Sequence, residues 1–370
     1  MKMKLLGKTN LEISTIGMGN AHHPYNDACI LEKRALMIEF ASCLGINFID
    51  TAEQYGNGLS EKIIGLVPSN IKKDFCICTK VSPNHLQPED LKQAVEDSLC
   101  RMKVDHIDLY YIHWPNPNIP IEQTMQVMDQ LVNEGKIKHI GLSNYSLKGL
   151  KEAMAATSKG ISAIELEYSL TDRSIEKDML PFCQENDITF VAYSPLDQGD
   201  SVRKTNTTKL LDCLVKKYQK TPAQIILNWL ATHPNVVTIP KTGDPKHLVD
   251  NSKSTNFTLE EEDIKFINDS FPLTIVEVPV EQIKVILEGR NNRQAYQTLE
   301  EAKQNLLGFT PSPEELAQEI KEGEMLKPVS IVLNVDKNSK YTYNLIEGRI
   351  RYWAWVIAFE GQKSIPALVR

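Results

Sequence analysis

Short apolar, β-prone runs recur through residues 1–271: STIGMGN, INFIDTA, FCICTKV, IDLYYIHWP, KHIGLSN, AIELEYS, TFVAYSPL and VVTIPKT. Between them lie stretches such as EDLKQAVEDSLCRM and PIEQTMQVMDQLVNEG, with apolar residues three and four apart, the spacing of a helix that buries one face. Local signals agree with the spacing. Pro88, Glu89 and Asp90 open one predicted helix with groups that suit its positive end, and Gly135 closes another. Eight strands alternating with helices predict a (β/α)8 TIM barrel. The alternative for this half is an open doubly wound sheet, which favours a GxGxxG turn after its first strand; GMGNAH has two of the glycines and lacks the third.

The alternation stops after TLEEEDIKFINDSF, and a domain boundary is expected near Pro272. From there the order reads strand, long polar helical region, strand, strand, helix, short strand, a small α+β domain over 272–370.

Bulk properties narrow the function. The 370 residues are too many for one small core. A net charge of −7 argues against a broad nucleic-acid surface. No apolar run reaches membrane-spanning length, and MKMKLLGKTN lacks the long apolar core of a secretory signal, so a cytoplasmic protein is expected. The seven cysteines form neither a CxxC pair nor a zinc-spaced cluster, and no metal is expected. Cys76 and Cys78 in FCICTKV read as buried thiols on one strand face.

In a barrel, residues at the carboxyl ends of the strands converge on one mouth. Asp50 ends the second run, Lys80 the third and His113 the fourth, while Tyr55 lies in the loop after the second. Each alone is commonplace. Together they suit carbonyl reduction. A phenol donates a proton, and a buried ammonium is expected to lower its pKa toward neutrality. A carboxylate keeps that ammonium charged, and an imidazole orients the substrate oxygen. No side chain donates hydride, so a nicotinamide cofactor is implied.

FIDTAEQYGNGLSEKIIG, TKV, LYYIHWP, GLSNY, YSPL and IPKTGDPKHLVDN together resemble the aldo-keto reductases across residues 1–271. The resemblance implies NADPH-dependent reduction of an aldehyde or ketone, with Asp50, Tyr55, Lys80 and His113 as the catalytic tetrad. It also implies that Ser143 and Asn144 hold the nicotinamide carboxamide and that Tyr193 stacks on the ring. By the same correspondence Ser194 and Leu196 approach the pyrophosphate, Lys241 and Thr242 the 2′-phosphate, and Asn251 the adenine. Two positions depart from the family pattern. Glu165 stands where a glutamine is usual, and a carboxylate accepts but does not donate unless protonated. His247 stands where an arginine is common at the 2′-phosphate, a poorer anion partner that admits NADH as well. Met18, His22, Tyr25 and Trp114 are expected to line the substrate cleft. The segments after His113 and Tyr193 are short, which suggests an open mouth for a small-molecule carbonyl.

VPVEQIKV, EELAQEIKEGEMLKPVSIVL and YNLIEGRIRYWAWVIAFEGQKSIPALV resemble the ParB/sulfiredoxin-like domain. The resemblance implies a second nucleotide near Gly348, Arg349 and Arg351, at a strand-to-helix turn, with Glu288 where a kinase base would lie. The sulfiredoxin cysteine is absent, and 12 Lys/Arg against 13 Asp/Glu in residues 272–370 do not suit a DNA clamp. Alternative readings are a cofactor-sensing regulatory protein with little turnover, or a small-molecule kinase activity in this domain.

Overall fold

The computed structural model describes all residues except 22–26, 204, 273–274, 287–294, 324–326, 337 and 370, and the side chains of 205 and 206. His22, Tyr25 and Glu288 therefore lie outside the described residues. The chain divides into two compact units, Met1–Trp114 with Ile119–Phe271, and Pro115–Asn118 with Pro272–Arg370.

The first unit opens with an antiparallel pair, β1 (Met3–Leu5) and β2 (Glu12–Ser14). Eight parallel strands follow: β3 (Met18–Gly19), β4 (Phe48–Asp50), β5 (Cys76–Val81), β6 (Ile107–Ile112), β7 (Ile137–Ser143), β8 (Ala163–Glu167), β9 (Thr189–Tyr193) and β10 (Val236–Thr238). They pair in sequence order from β3 to β10. A bridge between Ile16 and Thr238 joins the two edges, with Gly17 N donating to Thr238 O at 2.8 Å, so the sheet closes into a barrel.

Strand side chains alternate between two cores. Phe48, Cys76, Cys78, Leu109, Tyr111, Ala163, Val191 and Val237 fill the barrel interior, with Leu6 and Ile13 from the opening pair in the same cluster. Ile49, Ile77, Tyr110, Ile112, Ile140, Leu142, Ile164 and Phe190 face the surrounding helices. Full burial of such side chains contributes about 1.5–3 kcal/mol each. Cys76 and Cys78 are free, buried thiols with sulfurs 4.0 Å apart on the interior face.

In the second unit, a sheet runs in the order β11 (Ile275–Val278), β15 (Ile365–Val369), β13 (Val329–Leu333), β14 (Tyr343–Glu347) and β12 (Ile283–Val285). Two expectations change here. The first strand is two, because Pro279 cannot donate to a ladder and a short 3₁₀ turn over Val280–Gln282 breaks the run. The long polar helical region is also two helices, Leu299–Lys303 and Pro313–Lys321, separated by Gly308 with φ of 66° and by Pro311. Tyr296, Leu316, Ile331, Leu345, Trp353 and Ile365 belong to this unit's core.

Candidate active site

The strand alternation that sends Phe48 and Cys78 inward also sends Asp50 and Lys80 inward, two residues nearer the carboxyl end. Lys80 is wholly buried and its Nζ donates to Asp50 Oδ1 at 2.5 Å and to Thr51 O at 3.0 Å. Across the interior, Glu165 of β8 brings Oε2 to 3.3 Å from the same Nζ. That oxygen is buried and has no well-aligned hydrogen-bond partner among the described residues.

Tyr55 stands over this group. Its half-buried ring lies 5.3 Å from Lys80 Nζ and edge-on to His113, with centroids 5.5 Å apart. The loop that carries it turns through Gly56, Asn57 and Gly58, all at positive φ. A side chain at Gly58, at φ 82°, would stand 2.7 Å from Arg101 Cδ. Beneath the loop, buried Glu61 accepts from Thr79 Oγ1 at 2.6 Å and from Arg101 Nε at 2.5 Å, while Glu53 accepts from Ser82 N at 2.5 Å. Thus Glu53, Glu61 and Arg101, none of them singled out in the sequence, fix the Tyr55 loop to β5.

The charges do not act as the sequence suggested. Burial pushes the Tyr55 hydroxyl above its ordinary pKa. Lys80 pulls it down, but Asp50 opposes that pull, and burial leaves the net shift upward. Burial works to discharge Lys80, and the Asp50 carboxylate paired with it outweighs that and holds the ammonium charged. Burial also raises Asp50 against the pull of Lys80. Glu165 is raised well beyond the carboxylate range, by burial first and then by the Asp50 charge.

The ends of β7 and β9 meet beside this cluster. Tyr193 Oη donates to Asn144 Oδ1 at 3.0 Å, and Asn144 Nδ2 donates to His113 O at 3.1 Å and Ser143 Oγ at 3.0 Å. Asn144 and Ser194 both hold left-handed backbone, φ 61° and 49°. Such conformations cost about 1–3 kcal/mol and gather at functional positions. Leu196 precedes a short 3₁₀ turn over Asp197–Gly199.

After β10, Lys241 and His247 are exposed, Thr242 and Asn251 buried. Arg34, from the helix Ala28–Cys43, reaches this turn and donates to Thr242 O at 3.1 Å. Burial, then the Arg34 charge, lowers the Lys241 pKa. Arg34 is a second cation at this turn that sequence reasoning missed, since nothing near residue 34 marks the connection.

Trp114 is 39% exposed at the end of β6. Met18 corrects an expectation. It is 1% exposed and packs in the layer between strands and helices. The inward places on its strand belong to Gly17, against Phe48, and Gly19, against Ile239 and Lys241.

In the second unit, Gly348 has φ of 84° and begins the helix Arg349–Phe359 directly after β14. Arg351 departs from its expected part. Its Nη1 donates to Lys327 O at 2.7 Å and Pro328 O at 3.0 Å, so the guanidinium ties down the approach to β13. A separate cleft of about 380 Å³ is lined by Lys284, Gln297, Lys340, Tyr341, Tyr352 and Trp353 among others.

Among the described residues, no His, Cys, Asp or Glu group is arranged to hold a metal, and no helix is long and apolar enough to cross a membrane.

A closed parallel barrel with a Tyr, Lys, Asp and His cluster at the carboxyl ends of its strands defines an oxidoreductase-type site. The chain belongs to the aldo/keto reductase family, whose model matches residues 15–270. It is 31% identical over 316 residues to the aldo-keto reductase YhdN of Bacillus subtilis, covering 74% of this chain and 95% of that one. It is 29% identical over 231 residues to the methylglyoxal reductase YeaE of Escherichia coli, covering 62% and 81%. An aldo/keto reductase from Klebsiella pneumoniae, solved with NADP and acetate, superposes with a TM-score of 0.66 at 29% identity, covering 70% of this chain and 92% of that one.

Proposed function

We propose that the barrel reduces a small aldehyde or ketone with hydride from NADPH, and that Tyr55 supplies the proton. The observation that carries this reading is the half-buried Tyr55 ring between Lys80 Nζ, at 5.3 Å, and His113, at 5.5 Å. A nicotinamide supplies the hydride when bound. The chain's residues fit such a group: the buried Glu165 Oε2, which lacks an aligned hydrogen bond, and the strained Asn144 and Ser194 frame one polar face, and Lys241 and Arg34 offer positive charge at the far turn.

Tyr55, kept protonated by burial, donates to the carbonyl oxygen as charge builds on it. Lys80 stabilises the phenolate that results, and Asp50 keeps Lys80 charged. His113 orients the oxygen from the ring edge. Methylglyoxal reductase among the relatives and the open side at Trp114 favour a small aldehyde. NADPH oxidation over a panel of aldehydes and ketones, beside Tyr55→Phe, tests this. A wild type that binds NADPH and turns over none of them would instead favour a cofactor sensor.

For the second unit we keep the ParB/sulfiredoxin-like reading and a nucleotide-binding or regulatory role. The glycine turn into an aromatic helix at Gly348 supports it, and so does the aromatic and cationic cleft at Lys284, Tyr341 and Tyr352. Arg351, committed to backbone carbonyls, does not. Equilibrium dialysis of ATP and ADP with the full chain, before and after Gly348→Val, tests it; no retention of either nucleotide ends this reading. Seven free cysteines, four of them exposed, favour a reducing compartment such as the cytoplasm.

A further inference from the structure

Two buried carboxylates face one buried ammonium at the floor of the site. Asp50 Oδ1 lies 2.5 Å and Glu165 Oε2 3.3 Å from Lys80 Nζ, with side chains 4% and 2% exposed. One ammonium balances one of them. The nearer, Asp50, forms the hydrogen-bonded pair, which leaves Glu165 as a negative charge without its own counter-charge whenever it ionises.

The other groups around Glu165 do not supply one. Tyr55, Tyr111, Cys78 and Cys76 are phenols and thiols, which never carry a positive charge. Ser143, in register with Glu165 on β7, and Asn144, whose backbone N donates to Glu165 O at 3.1 Å, are uncharged. Among the described residues, His113 also lies at a neighbouring strand end, where it packs against Tyr55. Burial and the Asp50 charge therefore favour the protonated form of Glu165 in the free protein.

A bound ring changes this balance. Hydride transfer to a carbonyl held at Tyr55 requires the nicotinamide to stand beside the same floor. The reduced ring is neutral and the oxidised ring carries a positive charge. We propose that Glu165 is a redox-form specificity residue: it stays protonated beside the reduced cofactor and ionises beside the oxidised one, so that binding of the oxidised form releases a proton to solvent. The balance is a neutral carboxylic acid plus the cationic ring giving a carboxylate–cation pair and one free proton. The preference between the two forms then shifts toward the oxidised cofactor as pH rises. This inference rests on the NADPH reading of the barrel.

The test is the dissociation constant of NADP⁺ and of NADPH, by fluorescence titration of the full chain across neutral pH, for the wild type and Glu165→Gln. Titration of the 2′-phosphate is common to both forms and cancels in their ratio. In the wild type, Kd for NADP⁺ relative to NADPH is expected to fall by up to about tenfold per pH unit until Glu165 ionises in the free protein. In Glu165→Gln the ratio is expected to be flat. Calorimetry of the wild type in buffers of different ionisation enthalpy should report about one proton released with NADP⁺ and about none with NADPH. A flat ratio in the wild type overturns the inference. An equal slope in the glutamine variant also overturns it. No binding of either form overturns the cofactor reading itself.

Discussion

Lys80 Nζ sits 2.5 Å from Asp50 Oδ1, with both side chains shut off from solvent, on adjacent strands of the barrel. Removing one partner leaves the other as a lone buried charge. Lys80→Met should therefore destabilise the first unit by about 3–5 kcal/mol, offset in part because Glu165 and Asp50 can then share a proton. Urea unfolding measures it. The double variant Lys80→Met with Asp50→Leu should recover much of that loss; if it is no more stable than Lys80→Met, the pair is not the source of the effect.

Tyr55→Phe removes the proposed proton donor and leaves the ring that packs against His113. Turnover should drop by about a hundredfold or more. NADPH affinity should change little, because the phenol hydroxyl has no counterpart on the cofactor. Since burial holds the phenol above its ordinary pKa, reduction should not be lost through phenol ionisation near neutral pH. A steady-state rate profile beside a binding titration separates the two effects.

Glu165→Gln should raise stability in a pH-dependent way. The folded pKa of Glu165 lies above its unfolded value, so the folded state binds more protons between the two. The wild type then loses stability as pH rises from the ordinary glutamate pKa up to the raised one, by up to about 1.4 kcal/mol per pH unit. The glutamine variant lacks that loss. Melting temperatures compared from mildly acidic to alkaline buffer should diverge upward in pH; parallel curves would show that Glu165 is ionised throughout.

Arg34→Ala should weaken NADPH more than NADH. The guanidinium holds the Thr242 carbonyl at 3.1 Å and stands near enough to Lys241 to lower its pKa. Loss of a charge-assisted contact of this kind costs about 1.5–3 kcal/mol, roughly ten- to a hundredfold in affinity. Equal weakening of both cofactors would make Arg34 a support for the turn and not a reader of phosphate.

Gly141→Ala should disturb the site from below. A methyl group there would stand 2.5 Å from the Tyr111 ring, which itself lies 5.5 Å from Lys80 Nζ. Overpacking of this size costs about 1–3 kcal/mol. Thermal unfolding gives the loss, and unaltered melting would mean that the ring has room to turn away.

The sequence by itself determined the barrel and placed Asp50, Lys80 and His113 at the ends of its consecutive strands. Hydrophobic runs at strand length, joined by helix-spaced segments, leave few other closed arrangements, and strand alternation with a period of two aligns Asp50 with Cys78 and Lys80 on one inner face. It also marked the turn at Gly348, where only a left-handed residue joins strand to helix. The tertiary structure decided what depends on distances across the barrel. Glu165 meets Lys80 from three strands away, and Arg34 reaches Thr242 from 208 residues away along the chain. Met18 turns outward because Gly17 and Gly19 take the inward places. The direction of the Tyr55 pKa shift is a sum of burial, the Lys80 cation and the Asp50 carboxylate, and a linear pattern of residues fixes none of those distances.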